Sequence, residues 1–332
     1  MKWLDTCPLC GAEKLTTIHS RVFRLSEAVG MPANRATALR LFLEEICGAA
    51  EMQIDSSLCG SCGFLFANPR FSEQEIELKY QRVYQRFVGS GAEEVPDARS
   101  RRDAARARAK AEYVRDVVMW HSPGRKKLRV MDYGGQDGVN CIPLVEAGHS
   151  RFVVDYLNRP MPTGIERLGK DLGDVKASER FDVVLIIHTL EHLVEPLRMI
   201  RKLAAHMGED GLIYMEVPLG VWREYKEVRE PMMHINFFSE QSMWHLARLA
   251  GLDVVHLETR LQYACSGRLL CVNLLARKWP GQTMMRYRTS RSQMRQWYYG
   301  TRRRAAKGQG GACWGGEESV GPVIESGGRV GR

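Results

Sequence analysis

Two pairs of cysteines, Cys7-Pro-Leu-Cys10 and Cys59-Gly-Ser-Cys62, are each followed by a glycine. Thiolates at that spacing can meet a single cation, and four of them complete the tetrahedral shell that zinc prefers. With no position left open, the expected site at Cys7, Cys10, Cys59 and Cys62 is a structural Zn2+ rather than a catalytic one. A redox dithiol competes, but it needs one pair and not two. Cys47, Cys141, Cys265 and Cys271 fall in predicted elements and read as small buried apolar residues.

A second constellation runs Asp132-Tyr-Gly134-Gly135-Gln136-Asp-Gly138 at the end of a predicted strand. Glycines between a strand and a helix let backbone approach a ligand, and the helix start offers unpaired amides. No frame gives G-x-G-x-x-G; the fit is D-x-G-x-G-x-G with Gln136 at the middle glycine. Asp155, at the end of the next predicted strand, can accept both hydroxyls of a ribose. The pattern points to a nucleoside, against the plainer reading of a structural turn with an incidental aspartate.

His188-Thr-Leu-Glu191-His192 matches the H-x-x-E-H pattern of inverted zinc peptidases. That chemistry needs the motif within a helix, whereas the apolar run Phe181–Ile187 ends immediately before His188 and reads as a central strand. His188 is therefore expected at a strand tip, facing the crevice where open α/β sheets bind ligands. It either packs under a cofactor or acts on the substrate. His192 is expected to be structural. His234, in the long connection after Pro218, is the other imidazole able to take a proton near neutrality; it is favoured over His188 because it is free to face an acceptor. Trp222, Tyr225 and Asn236 in the same connection are candidate acceptor contacts or, equally, packing residues.

These residues need a scaffold. Ala38, Leu39, Phe42, Leu43 and Ile46 fall at helical spacing between the cysteine pairs. Ser72 and Glu75 form a capping box for a helix through Tyr84, and a second helix is expected from about Asp97 to Trp120 with a solvated arginine face. After Ser122-Pro-Gly124 the period changes. Strands at Leu128–Asp132, Arg151–Asp155, Phe181–Ile187 and Gly211–Pro218 alternate with helices at Val139–Ala147, Val194–Met207 and Ser239–Ala250. Such alternation predicts an α/β fold with a doubly wound, mainly parallel sheet. Strands Leu252–Leu257 and Leu269–Ala276, joined without a helix, are expected to pair antiparallel. The domain reading is a cysteine module over 1–70, a helical linker over 71–121, a nucleoside-binding domain over 122–278 and a basic tail over 279–332. Ten of the final 33 residues are glycine, and the tail is expected to be disordered and dispensable.

The net charge is +9, but ten Lys or Arg against three Glu from Trp279 onward leave the preceding 278 residues near +2. A near-neutral body does not suit a dedicated nucleic-acid reader. No apolar stretch approaches the roughly 20 residues that cross a bilayer. The N-terminus lacks an apolar signal region, so a reducing cytoplasm without disulfides is expected.

From Cys7 to about Ala276 the chain resembles the class I S-adenosylmethionine (SAM)-dependent methyltransferases with a zinc-binding N-terminal domain. Many of these act on sugars or other polyketide and cell-surface precursors. The resemblance rests on both cysteine pairs, Phe64-Leu-Phe-Ala-Asn-Pro-Arg70, the Asp132–Gly138 loop, Phe181-Asp-Val-Val184, His188–His192, Glu216-Val-Pro218 and His234-Ile-Asn-Phe-Phe-Ser239. The interval of 48 residues between the cysteine pairs is longer than this family leads one to expect. The resemblance implies a seven-stranded Rossmann-like methyltransferase sheet behind a zinc-ribbon-like module, with SAM as cofactor. It places Asp132 and Gly134 at the SAM methionyl end and Asp155 at its ribose. The implied substrate is a small molecule or a glycan-linked acceptor. A SAM-binding module without turnover, suggested by Gln136, and the zinc peptidase are the alternatives.

Overall fold

The computed structural model describes residues 1–31, 33–84, 98–157, 160–219, 234–264 and 267–278. Trp222, Tyr225 and the basic tail lie outside them.

The N-terminal part holds β1 (Leu15–Arg24), α1 (Ala33–Arg40), β2 (Glu51–Cys59), β3 (Leu65–Asn68) and α2 (Glu73–Lys79). The helical pattern between the cysteine pairs is α1, which widens into a π-type turn over Leu41–Cys47. Its apolar side packs Leu39, Phe42 and Leu43 against Phe23, Ile54 and Phe71. The Ser72–Glu75 capping box is present, with Ser72 N donating to Glu75 and Glu75 N to Ser72.

The remainder runs α3 (Ala98–Trp120), β4 (Arg129–Tyr133), α4 (Ile142–Glu146), β5 (Ser150–Val154), β6 (Ile165–Gly169), β7 (Phe181–Ile187), α5 (Pro196–Ala205), β8 (Met207–Pro218), β9 (Asn236–Phe237), α6 (Glu240–Leu249), β10 (Leu252–Ala264) and β11 (Gly267–Lys278). Seven strands form one sheet in the order β10-β11-β8-β7-β4-β5-β6. Neighbours from β6 to β8 are parallel, and β11 is antiparallel to both β8 and β10. The expected α/β sheet and its antiparallel closing pair are both present.

Alternation along β7 shows why it sits at the centre. Val184 and Ile186 enter one core and Val183, Leu185 and Ile187 the other, so apolar residues are needed on both faces. Helix α3 covers the second face through Val114 and Val118. The first face is covered by α5, α6 and the cysteine module, whose Cys7, Leu9, Cys62, Phe64 and Phe66 share a core with Val184, Ile213 and Met215. A second, antiparallel sheet in the order β1-β2-β3-β9 stitches the two parts together, because β9 comes from the far end of the chain and pairs Phe237 with Leu65.

Candidate active site

Strand β4 delivers Asp132 into the interior, where it is fully buried. Burial pushes its carboxyl up to about 7, although Asn140 and the nearby Lys110 favour the charged form; Asp155 opposes it. Its Oδ1 has no hydrogen-bond partner among the described residues. Gly134 turns the chain out of the strand at φ +76°, and a Cβ there would lie 2.3 Å from Thr189 Oγ1. A Cβ on Gly135 would lie 2.6 Å from the Asp132 carboxylate, so the backbone passes over that group where no side chain fits. Gly138 begins the following turn at φ +74°.

Gln136 keeps the left-handed backbone of the glycine it replaces, at φ 51°. That conformation costs a side-chain-bearing residue roughly 1–2 kcal/mol. The offset is local: Gln136 N donates to Asp155 Oδ2 at 2.8 Å, a charged bond of about 1.5–3 kcal/mol. Leu157 N donates to the other oxygen at 2.7 Å. Asp155, one residue beyond β5, is thereby fixed against the loop, and Gly134 N donates to Val154 O beside it. Asp132, Gly134, Gly135, Gln136, Gly138 and Asp155 thus converge at the carboxyl edge of β4 and β5.

On the other side of that edge, His188 follows β7 with φ 51°, and its N donates to Glu216 O. Its Nε2 lies 3.0 Å from Glu216 Oε1 and its Nδ1 3.4 Å from Glu191 Oε1. Burial alone would lower the imidazole pKa. Hydrogen bonds to Cys271, Glu191 and Glu216 outweigh burial and hold it well above its usual range. Glu216 is fully buried on β8, and Lys110 Nζ reaches its Oε1 at 2.8 Å. Tyr214 Oη and Gln262 Nε2 donate to Oε2 at 3.0 and 3.1 Å. Burial raises this carboxyl, but Lys110 and His188 more than reverse that and bring it to about 2. Lys110 was hidden in the arginine-rich pattern of α3. Its signal was position: it stands one helical turn before Val114 and two before Val118, on the buried stripe.

Glu191 and His192 occupy the single 3-10 turn Leu190–His192. No helix carries the H-x-x-E-H motif, which removes the geometry a peptidase needs. His234 comes alongside because Ile235 N donates to Glu191 O at 3.0 Å. The His192 and His234 rings meet edge to face, with centroids 4.9 Å apart.

Arg70 organises this junction from the N-terminal part. Buried at the end of β3, it donates to the carbonyls of Leu193, Val194 and Ile235 and to Asn236 Oδ1, at 2.5 to 3.2 Å. Desolvation lowers its pKa to about 9, which still leaves a cation at neutral pH. Asn236 completes the tie by donating to Leu190 O and Leu193 O, both at 2.7 Å. Of the two roles open to Asn236, acceptor contact or packing, the geometry agrees with packing: the side chain is buried and its amide oxygen and nitrogen are bonded within the protein.

The cysteine pairs also converge. Cys7 Sγ lies 3.7 Å from Cys62 Sγ, and Cys10 Sγ 3.6 Å from Cys59 Sγ. Sulfurs bound tetrahedrally at about 2.3 Å stand roughly 3.8 Å apart, whereas a disulfide needs about 2.05 Å. The two knuckles are closed alike: Gly11 N donates to Cys7 O and Gly63 N to Cys59 O, while Leu9 N and Ser61 N donate to the first sulfur of each pair. Both glycines have positive φ.

Residues 99–257 match the family model described as "Methyltransferase domain". A curated relative, the ubiquinone biosynthesis O-methyltransferase of Rickettsia canadensis, is 23% identical over 111 residues, 30% of this chain and 47% of that protein. The match thus spans about half of the relative's length. Among solved structures, the 1,6-didemethyltoxoflavin-N1-methyltransferase of Burkholderia thailandensis is 16% identical with a TM-score of 0.48, covering 66% of this chain and 96% of its own. A SAM-dependent methyltransferase of Methanosarcina mazei is 12% identical with a TM-score of 0.39, covering 48% and 96%. The matched segment holds α3 and strands β4 to β8: the chain carries a methyltransferase domain.

Proposed function

We propose that the protein transfers the methyl group of SAM to a small-molecule or glycan-linked acceptor, and that Cys7, Cys10, Cys59 and Cys62 hold a structural Zn2+. The observation that carries the first part is the side-chain-free cradle at Gly134 and Gly135 over a buried, incompletely bonded Asp132, with Asp155 fixed beside it. When bound, SAM supplies a methyl group on a positively charged sulfur that is already a good leaving group. The protein's task is then to align donor and acceptor in line and to help an acceptor proton leave. Both ring nitrogens of His188 face carboxylates, which suits a residue that shapes the pocket. His234 stands on the acceptor side, able to assist that proton directly or through a bound ion. The cysteine sulfurs have the donor type and separation of a closed tetrahedral zinc site. Incubation with labelled SAM and cell extract, followed by mass spectrometry of the products, identifies the acceptor; SAM binding without any labelled product would reduce the reading to a binding module.

Replacing Asp155 with Ala is expected to weaken SAM binding about 10- to 100-fold, the loss of a charged hydrogen bond of about 1.5–3 kcal/mol. Titration calorimetry checks it, and an unchanged dissociation constant would remove Asp155 from the cofactor site.

Asp132 gives the site a pH dependence. Its carboxyl, pushed up to about 7 by burial, must be ionised to attract the ammonium or sulfonium of SAM. SAM affinity is therefore expected to fall as pH drops below about 7, by up to about tenfold per unit. The groups acting on Asp132 are Asn140, Lys110, Asp155 and Cys141. Because the folded pKa is raised, the unliganded protein also loses stability as pH rises from about 4 to about 7. Calorimetry at pH 5.5 and 8 should show the difference and Asp132→Asn should flatten it; equal affinities at the two pH values in the unaltered protein would contradict the assignment.

A further inference from the structure

Beside the cofactor cradle, Glu191, His192 and His234 each offer one ligand atom, and the three atoms lie within 4.8 Å of one another. They come from two segments held in fixed register. The Leu190–His192 turn follows β7, His234 precedes β9, and the Ile235 N to Glu191 O bond and the Asn236 side chain tie the two together. Glu191 is 2% exposed and its Oε2 has no hydrogen-bond partner among the described residues. A buried carboxylate oxygen left in that state is expensive and calls for a cation or a donor. His192 and His234 are partly buried, so each imidazole keeps some exposed surface.

We propose that Glu191, His192 and His234 bind a divalent first-row transition cation on the acceptor side of the site, separate from the zinc at the cysteines. Two imidazoles and one carboxylate are a donor set that such ions accept while keeping further positions open. Bonds of about 2.0–2.2 Å require the donor atoms to draw in to roughly 3–3.5 Å from one another. From the 4.8 Å that bounds their present separations this is a closure of at most about 1.3–1.8 Å, within reach of side-chain rotation. The open positions face the acceptor, and the ligand class they suit is an oxygen-bearing molecule, above all one with a hydroxyl. A hydroxyl oxygen at such an ion ionises closer to neutral pH, its proton passing to solvent. His234 then serves as a ligand rather than as the proton acceptor itself. This role in the reaction rests on the methyltransferase reading; the binding of the cation does not.

The test is a titration of the zinc-loaded full-length protein with Co2+, followed by visible absorption. One equivalent should bind with the weak bands of nitrogen and oxygen ligation and without the intense near-ultraviolet bands of cobalt–thiolate bonds. Glu191→Gln and His234→Ala should each lower the affinity at least about tenfold. His234→Ala alters a half-exposed residue, so it keeps the test decisive if Glu191→Gln lowers thermal stability. No uptake, uptake showing thiolate bands only, or an affinity unchanged in both variants would overturn the proposal. SAM calorimetry on the same samples separates the two readings. SAM binding without Co2+ uptake ends the cation site and leaves the transferase; Co2+ uptake without SAM binding does the reverse.

Discussion

Changing Cys59 and Cys62 together to Ser should remove one equivalent of zinc per chain and unfold the N-terminal part at temperatures where the unaltered protein is stable. Structural zinc contributes on the order of 10–16 kcal/mol in small thiolate sites at neutral pH. A whole domain is stable by only about 5–15 kcal/mol, so the remaining contacts cannot make up the difference. The unaltered cluster, too, is ill suited to standing without its cation. With no cation, the hydrogen bond from the Cys62 thiol holds Cys7 down to about 5 while burial pushes Cys10 up to about 11, so the cluster favours mixed protonation. Damage should spread, because Cys59, Cys62, Phe64 and Phe66 share a core with the central strands. Elemental analysis of freshly purified protein and a thermal melt decide the matter. A double variant that melts with the unaltered protein, or an unaltered protein without zinc, would show that apolar packing alone holds this part together.

What could be read from the sequence follows from how one-sided each element's surroundings are. Strand β7 is covered on both faces and reads as unbroken Phe-Asp-Val-Val-Leu-Ile-Ile, so it was plain. Strand β1, Leu-Thr-Thr-Ile-His-Ser-Arg-Val-Phe-Arg, buries only Phe23 fully, and its apolar signal is lost among polar residues. Edge strand β6, Ile-Glu-Arg-Leu-Gly, was missed for the same reason, and β9 is two residues long. The cofactor loop was legible because glycines at Gly134 and Gly138 answer a backbone requirement, which Gln136 meets at φ 51° with help from Asp155. Residues whose roles depend on distant carbonyls were not. Asn236 could not be told from a loop residue facing substrate because its partners at Leu190 and Leu193 stand more than 40 positions away.

Arg70 gives the second large effect, because it links the two ends of that long-range arrangement. Replacing it with Met keeps most of the volume but leaves the carbonyls of Leu193, Val194 and Ile235 without their buried cation. A buried acceptor left unsatisfied costs about 1–3 kcal/mol, and several are stranded together, so a clear drop in melting temperature is expected. The larger consequence lies in catalysis. Those carbonyls flank His192 and His234, and misplacing such groups by about 1 Å can cost on the order of a hundredfold in rate. Turnover on the identified acceptor should fall by that order. SAM affinity should change little, since the Gly134–Gly138 loop and Asp155 hang on β4 and β5, whereas Arg70 bonds to Leu193, Val194, Ile235 and Asn236. Arg70→Lys retains the charge but lacks the planar fork that reaches several carbonyls, so it should recover part of the stability and little of the rate. Calorimetry for SAM and steady-state turnover on the same preparations separate the two quantities. Equal losses in SAM affinity and turnover would mean general loosening of the fold; loss of turnover alone would show that the cysteine module works by holding the acceptor side in register.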